Sequence, residues 1–237
     1  MERLICLAVG YVCGLFQTGY LVGKMNHMDI RKKGSGNAGT TNALRVLGWK
    51  AGVITFFGDV LKCVAAFLVT YFMYRGSDVM PLLAMYAGAG VTLGHNFPFY
   101  MNFKGGKGIA VMAGLVVVNS FWHLPASLLL IPITLACFLV PVVVTRYISV
   151  GSLAAYTVFW IEMVMIGRMG WFQMETARCY ELYIVLFLLT ALAWYRHRQN
   201  LKRLANGTEH KSGDKKKTEK EEWGRDKGGG FASGGWG

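Results

Sequence analysis

The sequence predicts an all-α fold, a polytopic membrane bundle of about seven transmembrane helices, with the N-terminus outside and the C-terminus cytoplasmic. Three observations lead there. Hydrophobic residues make up 54% of the 237 residues, and they gather in blocks long enough to cross a bilayer core of ~30 Å at ~1.5 Å per residue. The segments between blocks alternate between strongly basic and nearly neutral. The last block runs into a dense basic cluster, Arg196-His197-Arg198 with Lys202 and Arg203. The net charge of +12 follows this alternation, so it points to a lipid bilayer and not to nucleic acid.

The blocks follow in order. The first, 4–23, comes after only Glu2 and Arg3 and lacks a clear small-residue cleavage site, so it reads as a span and not as a removed leader. Blocks at 52–74 and 80–95 succeed it. The block at 109–123 is short; a full span, a tilted one and a re-entrant helix all fit, leaving about five to seven crossings. Trp122-His123-Leu124-Pro125 predicts a tight turn before the block at 125–145. Blocks at 149–167 and 181–195 complete the set.

Orientation follows from the lysines and arginines. The segment 24–51 holds Lys24, Arg31, Lys32, Lys33, Arg45 and Lys50 against the single acid Asp29. The loop 96–108 holds Lys104 and Lys107, and Arg146 lies near Pro141. The alternate loops carry Arg75 with Asp78, and Arg168 and Arg178 with Glu175 and Glu181. The loops at 24–51, 96–108 and near Arg146, and the end from Arg196, are therefore cytoplasmic, and the alternate loops lie outside. Residues 1–209 form the membrane domain, and 210–237, charged and then glycine-rich, read as a disordered, solvated tail. The five cysteines are scattered without metal or disulfide spacing, so neither a metal nor another cofactor is expected.

Three cytoplasmic clusters bear chemistry. In the first, Ser35, Gly36, Asn37, Gly39, Thr40, Thr41 and Asn42 offer turns and uncharged donors, with Arg45 just beyond. Either the glycines merely turn the chain, or the segment grips an anion. In the second, Lys104-Gly105-Gly106-Lys107-Gly108 leads into an apolar helix, a geometry that suits a phosphate at a helix N-terminus. The third runs from Arg196 onward; on a continuing helix His197 and Asn200 share a face. It reads as an amphipathic interfacial helix or a plain charged stop. Ser149 could add a hydroxyl. Within a span, Asp59 and Lys62 stand three apart and predict an ion pair facing the bundle interior, with an ion pathway as the rival. His95 and Asn96 are expected to organise their loop.

These clusters, in this order, make the chain resemble the bacterial acyl-phosphate:glycerol-3-phosphate acyltransferase family. The resemblance spans about residues 1–209. It rests on Gly34-Ser35-Gly36-Asn37-Ala38-Gly39-Thr40-Thr41-Asn42-Ala43-Leu44-Arg45, on Gly94-His95-Asn96-Phe97-Pro98 through Phe103-Lys104-Gly105-Gly106-Lys107-Gly108, and on Arg196-His197-Arg198-Gln199-Asn200-Leu201-Lys202-Arg203-Leu204 with Gly207-Thr208-Glu209. Thr40 and Leu201 depart from the family's usual alanine and isoleucine. The resemblance implies acyl transfer from acyl phosphate to the 1-hydroxyl of glycerol 3-phosphate at the inner membrane of a bacterium. It assigns Ser35, Arg45, Lys104, His197 and Asn200 to the glycerol phosphate. Lys107 and the amides of Gly105 to Gly108 go to the acyl-phosphate head, with Ser149 serving either, and Gly36, Asn37, Gly39 and Asn42 of the first loop are also expected to bind substrate phosphate. The proton acceptor is His197 or the substrate's own phosphate. The enzyme that makes acyl phosphate is a candidate partner. No histidine is followed by aspartate at the HxxxxD spacing of acyl-thioester acyltransferases, and the polar clusters lie on one face, unlike a transporter's midplane site.

Overall fold

The fold, obtained as a computed structural model, describes residues 1–120 and 127–213. The expected turn at Trp122–Pro125 and nearly all of the expected tail lie outside the described residues. All described regular structure is helical: α1 (Glu2–Gly14), α2 (Thr18–Met25), α3 (Thr40–Leu47), α4 (Trp49–Met73), α5 (Met80–Asn96), α6 (Ile109–Ser120), α7 (Ser127–Thr145), α8 (Ile148–Arg168), α9 (Thr176–Arg196) and α10 (Arg198–Ala205). Among the described residues, the stretches Glu2–Met25, Trp49–Met73, Ile148–Arg168 and Thr176–Arg196 are long and apolar enough to cross a membrane; α6 and α7 are shorter.

Helix α5 forms the axis of the bundle. Its Leu82 to Val91 stretch is apolar or small on every side, so no face is suited to water. Leu82, Leu83, Met85 and Val91 are fully buried. Small residues let α1 lie directly on it. A Cβ at Gly90 would collide with the Leu7 carbonyl, and one at Gly94 with the Tyr11 carbonyl. This is the close backbone approach by which helices associate in lipid, where van der Waals contact replaces the hydrophobic effect. At the far end, Glu181 of α9 pairs with Arg3 and accepts the Tyr86 hydroxyl at 2.9 Å, tying α1, α5 and α9 together. Phe57, Leu61, Phe72, Val143, Val144 and Phe187 remain exposed, as expected of a lipid-facing surface.

Two predicted helices are broken. The block expected as one span at 4–23 stops at Gly14 and restarts at Thr18. A break inside hydrocarbon requires new partners for the freed carbonyls, and distant side chains supply them. The Tyr100 hydroxyl donates to Leu15 O at 2.6 Å, Lys62 Nζ donates to Phe16 O at 3.0 Å, and Gln17 Nε2 donates to Gly14, Gly94 and His95 carbonyls. Likewise α9 does not continue through the basic cluster. It ends at Arg196, and the chain turns at His197 before α10. The Asp59–Lys62 pair is inside the bundle as anticipated, 2.8 Å apart and buried.

Candidate active site

A cavity of ≈ 300 Å³ opens where α5 and α9 end and α6 and α8 begin. Three walls and the facing start of α8 build it. The first is the loop into α3, which contributes Ser35, Asn37, Gly39, Thr40, Thr41 and Arg45. This loop owes its shape to Asn42, whose Oδ1 accepts from the Ser35 N–H at 2.8 Å. Its Nδ2 donates to Ile30 O at 2.7 Å and Lys33 O at 3.1 Å. Asn42 was expected to bind phosphate. It is instead 1% exposed and absent from the lining, with its amide spent on the loop itself. Gly36 is outside the lining as well.

The second wall is the glycine loop, and here the expectation narrows. Gly105 N–H donates to Asn96 O at 3.2 Å and Gly106 N–H to His95 O at 3.0 Å. Both amides expected to hold an anion are thus committed to the end of α5, and neither glycine lines the cavity. Arg196 completes the clamp, donating to the carbonyls of Gly105 (3.1 Å) and Gly106 (2.8 Å) while its guanidinium lies 5.1 Å from the Phe97 ring centre. Lys107 and Gly108 do reach the cavity. Gly108 adopts φ +80°, a left-handed conformation suited to glycine, and its carbonyl accepts the buried Tyr156 hydroxyl at 2.9 Å. It therefore delivers the first turn of α6, with its outward N–H groups, to the cavity edge. Lys104 is exposed and stands outside the lining.

The third wall comes from the turn after α9 and from α10: His197, Asn200 and Arg203, with Glu209 beyond. Ser149 and Ser152 of α8 face them. A continuous network joins these groups. Lys107 Nζ donates to Asn200 Oδ1, and Asn200 Nδ2 donates to Glu209 Oε1 at 2.6 Å. Glu209 also accepts from Arg203 Nε at 2.7 Å and Ser149 Oγ at 3.3 Å. Asp59 and His95 form part of the lining from below, and Phe56, Ile109, Phe138 and Ile148 give it an apolar portion.

The electrostatics follow from burial among cations. Lys107 is brought down to about 8 by burial, reinforced by Arg203, Arg196 and Arg45. His197 falls to about 4 because burial, with Lys107 nearby, opposes a second charge. Burial pushes Glu209 upward, but donors from Asn200, Arg203 and Ser149 outweigh it and hold the carboxyl below its ordinary value. His197 is therefore neutral at pH 7. Its Nδ1 lies 2.8 Å from the Ala193 carbonyl, which can only accept, so Nδ1 carries the proton and Nε2 is a bare acceptor. Such a site suits an anion bearing several oxygens, beside a group able to take a proton.

The structure thus brings Ser35, Asn37, Gly39, Arg45, Lys107, Gly108, Ser149, His197 and Asn200 together, and leaves Gly36, Asn42, Lys104, Gly105 and Gly106 off the lining. Sequence reasoning assigned no role to Glu209, the hub of the network, or to Arg196. The signal for Glu209 was its being the single acid between Arg196 and His210.

A family model described as glycerol-3-phosphate acyltransferase matches residues 4–207. A glycerol-3-phosphate acyltransferase of Clostridioides difficile (strain 630) is 42% identical over 216 residues, covering 90% of this chain and 97% of the relative. One of Halalkalibacterium halodurans is 38% identical over 223 residues, covering 92% and 100%. The fold is similar to the crystal structure of PlsY (YgiH), an integral membrane glycerol 3-phosphate acyltransferase, in its glycerol 3-phosphate form. That match has a TM-score of 0.72 and 29% identity, covering 90% of this chain and 96% of that one. The lysophosphatidic acid form matches with a TM-score of 0.70. A cation-lined cavity among apolar helices and a match along nearly the whole chain agree: this multi-pass membrane protein belongs to the glycerol-3-phosphate acyltransferase family.

Proposed function

We propose that the chain transfers a fatty acyl group from acyl phosphate to the 1-hydroxyl of glycerol 3-phosphate. The products are 1-acyl-glycerol 3-phosphate and inorganic phosphate, the first step in building a phospholipid. The observation that carries this reading is the joint lining of one cavity by Arg45, Lys107 and Arg203 and by apolar side chains of membrane helices. Two phosphorylated substrates, one with an acyl tail, call for that combination. In the reaction the glycerol oxygen attacks the acyl carbon, and the bond from that carbon to the phosphate oxygen breaks. The hydroxyl proton passes to His197 Nε2 or to a phosphate oxygen of glycerol 3-phosphate, and phosphate departs. Because phosphate is already a good leaving group, orientation and charge neutralisation suffice without a covalent intermediate.

Ser35, Arg45, Lys104, His197 and Asn200 are assigned to the glycerol phosphate, Lys104 by resemblance alone. Lys107, Gly108 and the first turn of α6 are assigned to the acyl-phosphate head, and Ser149 to either. The bundle crosses a bacterial inner membrane about seven times, with the cavity on the cytoplasmic face, a reading supported by the distribution of lysine and arginine. On that face it can receive acyl phosphate from the enzyme that makes it. Purified protein supplied with glycerol 3-phosphate should form product with acyl phosphate and not with acyl-CoA, and a chelator should leave the rate unchanged. Equal rates with acyl-CoA would refute the donor assignment.

A further inference from the structure

A buried charged cluster lies under the glycine loop and takes no part in the chemistry above. Lys62 Nζ lies 2.8 Å from Asp59 Oδ1, 2.7 Å from His95 Nδ1 and 3.0 Å from the Phe16 carbonyl. An ammonium has three N–H bonds, and these three acceptors use all of them. Because it only donates, His95 Nδ1 is the bare nitrogen and the ring proton sits on Nε2. That Nε2 rests against Gly106, where a Cβ would overlap it. The His95 carbonyl meanwhile accepts the Gly106 N–H at 3.0 Å. With Arg196 holding the Gly105 and Gly106 carbonyls, the loop is clamped between an imidazole and a guanidinium, immediately before Lys107 enters the cavity.

We propose that Lys62 is a positioning residue: it fixes the tautomer and orientation of His95, which sets where the Gly105-Gly106 segment places Lys107. Asp59, one turn earlier on the same helix, pairs with Lys62. The interruption of the first span belongs to the same device, since the Phe16 carbonyl is available only because the helix stops there. The inference rests on the reading that Lys107 holds a substrate phosphate, so the test keeps the two apart.

Lys62→Met alone strands a buried carboxylate, so the informative variant is Asp59→Asn with Lys62→Met, which removes both charges at similar volume. KM and kcat are measured for both substrates, with Tm in detergent, beside Lys107→Ala. The double variant is expected to fold with a Tm near the parent's. It should raise the same KM that Lys107→Ala raises, by roughly ten- to a hundredfold, as a misplaced contact does. Adding His95→Leu should then cost little more, because both act through one ring. If the folded double variant keeps both KM values, Lys62 has no positioning role and the inference is overturned. If Lys107→Ala itself moves neither KM, the phosphate reading of the loop fails and takes the inference with it. Should the double variant not accumulate, His95→Leu alone carries the test: the same KM must rise, and an unchanged KM overturns the inference.

Discussion

Replacing Lys107 with alanine removes the cation that enters the cavity from the glycine loop and leaves Asn200 Oδ1 without the donor it has in the parent. A charge-assisted contact to phosphate contributes about 1.5–3 kcal/mol. At about 1.4 kcal/mol per decade, kcat/KM for the affected substrate should fall about ten- to a hundredfold. The parent enzyme carries a second signature. With Lys107 at about 8, the free enzyme loses this cation as pH rises through that value, so kcat/KM should decline by about tenfold per pH unit on the alkaline side. A bound phosphate favours the charged form, so kcat at saturation should hold to higher pH. Lys107→Arg, charged throughout, should abolish the alkaline decline. Unfolding does not mimic this. The folded value lies below the ordinary lysine value of 10.5, so between those limits the unfolded chain binds more protons and Lys107's contribution to stability increases with pH. The assay is kcat/KM for each substrate in membranes at matched protein levels, across the range from neutral to about pH 10. Unchanged kcat/KM in Lys107→Ala, or an alkaline limb that survives in Lys107→Arg, would refute the reasoning.

Other outcomes follow from neighbouring features. His197, at about 4, is neutral throughout an ordinary assay, so an acid limb near pH ~6 belongs to the second ionisation of the substrate phosphate. His197→Gln should lower kcat and leave that limb in place; a limb that disappears assigns it to the histidine. Gly94→Ala drives a methyl into the Tyr11 carbonyl, and overpacking of about 1–3 kcal/mol should appear as a lower Tm with KM unchanged in whatever folds. A Tm equal to the parent's would show that α1 is free to move away from α5. In a background without native cysteines, a cysteine at Ser77 should label from outside intact cells and one at Ser212 should not. Labelling at Ser212 would reverse the proposed orientation.

The predicted helices are legible because apolar runs and basic loops are local properties. Over the described residues each apolar block is helical, the first as two helices, and the interior pairing of Asp59 with Lys62 followed from the cost of burying an unpaired charge. Ordered motifs likewise anticipated that Ser35, Arg45, His197 and Asn200 would meet, but the lysine expected beside them was Lys104, and the one that lines the cavity is Lys107. The break at Leu15-Phe16-Gln17 was not legible, because Leu15 and Phe16 continue the apolar run, a single Gln17 does not end a span, and the exposed acceptors are claimed from far away, by Lys62 46 positions on. The loop of Gly105 and Gly106 read as a phosphate cradle because sequence shows flexible amides but not their partners, which α5 provides. Lys107 and Asn200 lie 93 positions apart, and Glu209 became the hub of their network only when the chain beyond α10 brought it against Ser149 of α8. Hydrophobic pattern dictated which segments are helices. Hydrogen-bond partners, which depend on where distant segments come to rest, decided where helices break and which polar atoms remain for a ligand.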